Sequence, residues 1–213
     1  MRKLALLLAF LLCASLLTGC FDYRGLAEQT IISGIAVDAS EEGIELTFEI
    51  VDVAGVENGQ FGAVVFTATG ETFEAALQDA GRALPGEAYL GTLKVLILSS
   101  QGVEGEALSI VRHLIHDRAV SNSLPLVIAE GDTASELLTP PDDPDAPPMI
   151  RARVLHKSLQ EHEGGTEASL HQVYSALLAD DARVTLPLIA LSSAEAVPFE
   201  YMGTKEIHIE GRR

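Results

Sequence analysis

The sequence predicts an α+β protein: a mixed β-sheet covered by helices, followed by a smaller second α/β domain. Three observations predict it. Apolar and polar residues alternate strictly over residues 44 to 50, the mark of a strand with one buried face. After Thr72 the apolar period lengthens from two to helical spacing, and short apolar runs then alternate with helical patterns, which argues for a sheet covered by helices. Five of the nine prolines crowd into TPPDDPDAPP, residues 139 to 148, which excludes regular structure and predicts a boundary.

Taken in order, Gln29 to Asp38 (QTIISGIAVD) reads as a strand with a bulge near Gly34. In the next segment Ile44, Leu46, Phe48 and Ile50 alternate with Glu45, Thr47 and Glu49. This predicts a second strand with its acids in water, and the short link Ala39 to Gly43 joins the two as a hairpin. A third strand, Ala63 to Ala68, follows a turn containing Asn58 and Gly59. Phe73, Leu77, Ala80 and Leu84 then predict a helix, with Glu71 and Glu74 near its start, where the helix dipole favours acids. Leu93 to Leu98 is apolar at nearly every position and predicts a central strand buried on both faces. A helix over Val103 to His116, a strand over Leu124 to Ala129 and a short helix over Thr133 to Leu138 complete the first domain.

Beyond the proline-rich segment, Ile150 to Glu161 predicts a helix. Leu170, Val173, Tyr174, Leu177 and Leu178 make a second amphipathic one. Two strands follow, Val184 to Leu191 and Phe199 to Ile209. The expected organisation is therefore a signal segment over 1–19, an α/β domain over 20–138, an acidic proline-rich linker over 139–148, and a second domain over 149–213 that is short for a complete fold.

The N-terminus carries the clearest chemical signal. Arg2 and Lys3 precede an apolar stretch from Leu4 to Leu17, shorter than the roughly 20 residues a bilayer span requires and shaped like a secretory signal. It ends on Leu17, Thr18, Gly19 and Cys20. This order resembles a bacterial lipobox, which implies lipidation of the Cys20 sulfur and cleavage before it; an uncleaved anchor and an ordinary secretory signal are the alternatives. Cys13 lies inside the apolar core, so a cleaved chain keeps Cys20 as its single cysteine and has no intrachain disulfide. Two acyl chains hold a protein at a membrane where one binds only marginally.

The net charge is −17, and becomes −19 once Arg2 and Lys3 leave with the signal. Such a surface is repelled by nucleic-acid backbones and by anionic lipid alike, so the expected partners include no nucleic acid and the membrane is reached through the anchor.

Other chemistry is thinly supported. His113 and His116 stand three apart beside Asp117, but no Cys or His downstream completes a metal set, and solvated histidines are the better reading. Asp142, Asp143 and Asp145 offer oxygens without the looped glycine turn of a calcium site. Ser99 and Ser100 follow a strand but sit in no nucleophile elbow, and no base is identifiable. The expectation is a protein that is not an enzyme, with no catalytic residue, metal or cofactor.

The residues after the lipobox carry a family likeness. CFDYRGLAEQTIISGIAVD, residues 20 to 38, resembles the start of the mature Ger(x)C spore germination lipoproteins, the C subunits of nutrient germinant receptors. The matching positions are Cys20, Phe21, Asp22, Arg24, Gly34 and Asp38. The likeness continues in ELTFEIVDV, in AYLGTLKVLILS (88 to 99) and in RVTLPLIAL (183 to 191). Phe21 stands where tryptophan is common, and the chain stops where such proteins usually continue into a further α/β domain, so it resembles a short or truncated member. The resemblance implies a lipid-anchored subunit on the outer surface of the inner spore membrane, with integral-membrane A-type and B-type subunits as partners. The alternative is a solute-binding lipoprotein of a membrane importer, which calls for two lobes around a cleft. An anchored hydrolase is a third reading and lacks its catalytic constellation.

Overall fold

The alternating segment forms the long strand β2 (Gly43–Glu57), paired antiparallel with β1 (Gln29–Ser40) on one side and β3 (Gln60–Gly70) on the other. The computed structural model describes residues 2–3, 28–57, 60–100, 107–131, 133–142, 149–162, 168–179, 183–192 and 198–208. Its other strands are β4 (Glu87–Tyr89), β5 (Val95–Leu98), β6 (Leu126–Ala129), β7 (Arg183–Leu191) and β8 (Phe199–His208). They build one eight-stranded mixed sheet in the order β3-β2-β1-β5-β6-β7-β8, with β4 also parallel to β1. Strand β4 was not expected from the sequence: three residues around Tyr89 carry too little pattern to read.

The helices are α1 (Phe73–Ala83), α2 (Ala107–His116), α3 (Arg151–Glu161) and α4 (Leu170–Leu177). The segment expected as a short helix before the prolines is a single 3-10 turn, Ser135–Leu137. Residues 103–106 of the expected second helix lie outside the described residues.

Each face of the sheet has its own core. Ile35, Leu46, Phe48, Leu96 and Leu126 pack against α1, α2 and α4. Ala36, Val95, Ile97 and Val127 point the other way, onto the 3-10 turn and α3. Neighbouring residues of β5 and β6 alternate between the two cores, which is why those strands read as unbroken apolar runs.

Two expectations are corrected. The acids of β2 do not all face water: Glu49 and Thr47 are each 1 % exposed, because α3 and its approach cover that face. The chain beyond the proline-rich segment does not form a separate sheet. β7 pairs parallel with β6, and α3 and α4 pack on opposite faces of the sheet that begins at β1. The proline-rich segment divides neither core, because strand pairing and burial both reconnect after it.

Candidate functional site

The most concentrated polar arrangement among the described residues lies under α3. Helix α1 is capped by its own Thr72, whose hydroxyl accepts from the Ala75 N–H at 3.2 Å, and α4 by a capping box of Ser169 and Gln172. Ile150, at the corresponding position of α3, supplies no side-chain cap. The cap comes from the sheet. Glu49 on β2 accepts the backbone N–H of Arg151 at 2.5 Å and that of Ala152 at 3.0 Å, so a carboxylate sits on the positive end of the helix. Its third partner is the Ser33 hydroxyl, which donates to Oε2 at 2.6 Å.

A matching contact holds the chain on the other side of the prolines. Asp38 on β1 accepts the N–H of Ala134 at 2.5 Å and of Ser135 at 2.9 Å, capping the 3-10 turn. Arg151 links the two ends: its Nε donates to the Leu137 carbonyl at 2.9 Å, and its guanidinium lies 5.0 Å from the centre of the Phe199 ring. The described residues on either side of the proline-rich segment are thus tied to adjacent strands by two acids. Gly34 lets the two sides come close: a Cβ there would stand 2.8 Å from the Ala152 Cβ and 2.9 Å from Leu138 Cδ2.

Burial works against the charges it encloses. It pushes the Glu49 carboxyl above the ordinary glutamate range, and the bonds from Ser33, Ala152 and Arg151, with the Arg151 charge, only partly offset this. Burial likewise lowers the Arg151 guanidinium, and Glu49 opposes it. Ser33, Glu49 and Arg151 are all buried, and the bonds of Glu49 tie the start of α3 to β2.

The residues singled out from the sequence are dispersed. Cys20, the lipidation candidate, lies outside the described residues. His113 stacks edge-on to Phe73 and stands 3.9 Å from Glu74, whereas His116 bonds the Arg112 carbonyl and meets the edge of Tyr174. The two imidazoles serve different neighbours. Ser99 is buried at the end of β5, and Ser100 Oγ accepts from Lys205 Nζ at 3.0 Å. Asp142 is exposed, and Asp143 and Asp145 lie outside the described residues. A shallow depression of about 180 Å³ between α3 and the β7–β8 edge is lined by Leu155, Leu159, Ile189, Phe199 and a stacked His162–Tyr201 pair, with rings 5.1 Å apart. It lies beside one sheet, not between two lobes. No helix among the described residues is long and apolar enough to cross a membrane.

Sequence reasoning missed Glu49, Arg151 and Ser33 as a unit. The usable signal was negative: a helix starting at Arg151 without Ser, Thr, Asp or Asn before it must find its cap elsewhere. Gly34 and Asp38, by contrast, are positions of the Ger(x)C likeness, and the structure gives them physical roles under Ala152 and at the 3-10 turn.

The described residues define an α+β module in which two buried acids fasten α3 and the 3-10 turn to adjacent strands. Comparison with known families then gives it a place: the sequence model described as spore germination protein N-terminal domain matches residues 22–191, from two residues past Cys20 to the end of β7 and across the proline-rich segment. The chain belongs to the Ger(x)C spore germination protein family. No curated protein and no solved structure gives a significant match.

Proposed function

We propose that this chain is a lipid-anchored, non-enzymatic subunit of a spore germinant receptor complex, required for nutrient-triggered germination. The observation that carries the reading is the family match starting at Asp22, two residues after a cysteine that ends a lipobox-like signal. Cys20 carries the lipid, and the acyl chains hold the folded domain on the outer surface of the inner spore membrane. Its partners there are the integral-membrane A-type and B-type subunits. The anchor turns a dilute encounter in solution into one confined to a surface, which raises the effective concentration of the subunits for each other. The inward-turned polar clusters support a scaffold role, since their bonding capacity is used within the fold.

Replacing Cys20→Ala tests this directly. The expected result is loss of the protein from the spore-membrane fraction, together with loss of nutrient-triggered germination in a strain without paralogues. Unchanged membrane retention would overturn the anchor, and normal germination would overturn the receptor role.

A further inference from the structure

The two edges of the sheet are built differently. At one edge, β8 carries Glu200, Lys205 and Glu206 and breaks register with β7 near Gly203, whose φ is +118°. Charge and a bulge are the usual means of keeping an edge from pairing or entering an apolar phase. At the other edge, β3 reads QFGAVVFTATG with no charged residue, in a chain holding 31 acids.

The start of β3 also overhangs. β1 and β2 pair as far as Ile32 and Ile50, whereas β2 and β3 remain paired beyond, through Val51 with Ala63 and Asp52 with Gly62. This ribbon exposes Val53 (58 %) and Phe61 (47 %), and Val64 (52 %) is exposed at its base, paired with Ile50 where β1 still lies alongside. Phe61 and Val64 are three apart on one strand and so point to opposite faces. A single packed protein surface covers one face and leaves the other wet; a bilayer interface surrounds both. Residues 51–57 and 60–70 hold two ionisable side chains, Asp52 and Glu57, both on β2, and β3 itself holds none.

The overhang lies at a particular end. Because β1 runs antiparallel to β2, the ribbon projects at the end where β1 begins, at Gln29. Gln29 is nine residues from Cys20, a tether of at most about 30 Å fully extended. A ribbon whose edge strand carries no charge therefore projects from the end of the sheet at which β1 begins.

We propose that the overhanging β2–β3 ribbon is a second membrane contact, placing Val53, Phe61 and Val64 in the interfacial region of the phospholipid bilayer that holds the Cys20 lipid. This rests on the lipid-anchor reading and adds orientation to it. One tether leaves the domain free to rotate above the membrane, whereas a tether and an apolar ribbon present the α1–α2 side and the α3 side laterally. Side chains of this kind enter the headgroup and acyl boundary by about 5–10 Å.

The chain contains no tryptophan, so Phe61→Trp creates a single fluorescent reporter. The lipidated full chain is reconstituted in phosphatidylcholine vesicles with brominated acyl chains, alongside Tyr201→Trp on the β8 edge. Phe61→Trp is expected to emit further to the blue and to be quenched several-fold more than Tyr201→Trp. Val53→Trp is expected to follow it. Adding Val64→Glu to Phe61→Trp should abolish the quenching. Equal quenching at the two edges would overturn the proposal, as would shielding of the β3 reporter only after integral-membrane subunits are added. Vesicle flotation reports the anchor separately: a chain that floats with its β3 reporter unquenched overturns the ribbon contact alone, and one that fails to float overturns both.

Discussion

The two faces of the sheet hold their helices by different physics. On one face α1, α2 and α4 lie over a continuous apolar core around Phe48, Leu96 and Leu126, and α1 and α4 are capped by residues of their own sequence. On the other, α3 lies over a smaller core, and its N-terminus is completed by Glu49 from a strand 102 residues earlier. The first face is a matter of volume and local pattern. The second depends on a buried charge finding its partners, and a charge without partners costs far more than an apolar side chain without neighbours.

The sharpest way to break that comparison is to damage each face and attempt the same repair. Phe48 is fully buried, so Phe48→Ala should cost about 3–5 kcal/mol through lost burial and the cavity left behind. Glu49→Leu should cost a comparable amount, roughly 3–5 kcal/mol, because Arg151 is left buried without its carboxylate. The two differ in what rescues them. Combining Glu49→Leu with Arg151→Met should recover most of the loss, leaving about 1 kcal/mol for the missing helix cap. Arg151→Met should do nothing to repair Phe48→Ala. Urea denaturation of the single and double variants reads both; a Glu49→Leu loss that Arg151→Met leaves unrepaired means the pair does not act as a unit.

Acidity separates the faces next. Burial raises the Glu49 carboxyl above its unfolded value, so the folded state takes up this proton more readily than the unfolded chain. The resulting stability is fully present below the ordinary glutamate range and is lost as pH rises through the raised value. Lowering the pH across that window should stabilise the wild type relative to Glu49→Gln, opposite to the usual behaviour of an ion-paired acid. Phe48→Ala should show the wild-type slope. Denaturant midpoints at a series of pH values give the difference, and parallel curves for wild type and Glu49→Gln would remove Glu49 as its source.

What was legible in the sequence follows the same division. The apolar face could be read because its information is periodic: Ile44, Leu46, Phe48 and Ile50 announce a strand, and Phe73, Ala80 and Leu84 fall on the buried side or at the end of the helix they predict. The second face was legible only in its apolar part. Glu49 has the same local pattern as Glu45, yet one is sealed beneath α3 and the other is not, and nothing within several residues of either distinguishes them. The expected domain boundary failed for a related reason. Prolines report that a backbone stops making regular hydrogen bonds, not whether the next strand returns to the same sheet, and β7 returns to β6. Gly34 and Asp38 stood out through resemblance before their contacts were visible.

The smallest expected effect lies beside Glu49, at a polar group that found no partner. The Thr47 hydroxyl faces the α3 side of β2, in a residue that is 1 % exposed, and its Oγ1 has no hydrogen-bond partner among the described residues. An unpaired buried hydroxyl costs about 1–3 kcal/mol relative to a paired one, and valine has nearly the same shape and a stronger preference for strands. Thr47→Val should therefore stabilise the protein, by about 1 kcal/mol after allowance for local relaxation, seen as a higher denaturation midpoint with an unchanged slope. The same exchange at Thr67, its exposed cross-strand neighbour on β3, should change stability by less than about 0.5 kcal/mol. If Thr47→Val instead destabilises, its hydroxyl has a partner in solution, and the polar layer beneath α3 extends one residue further along β2 than the bonds to Glu49 define.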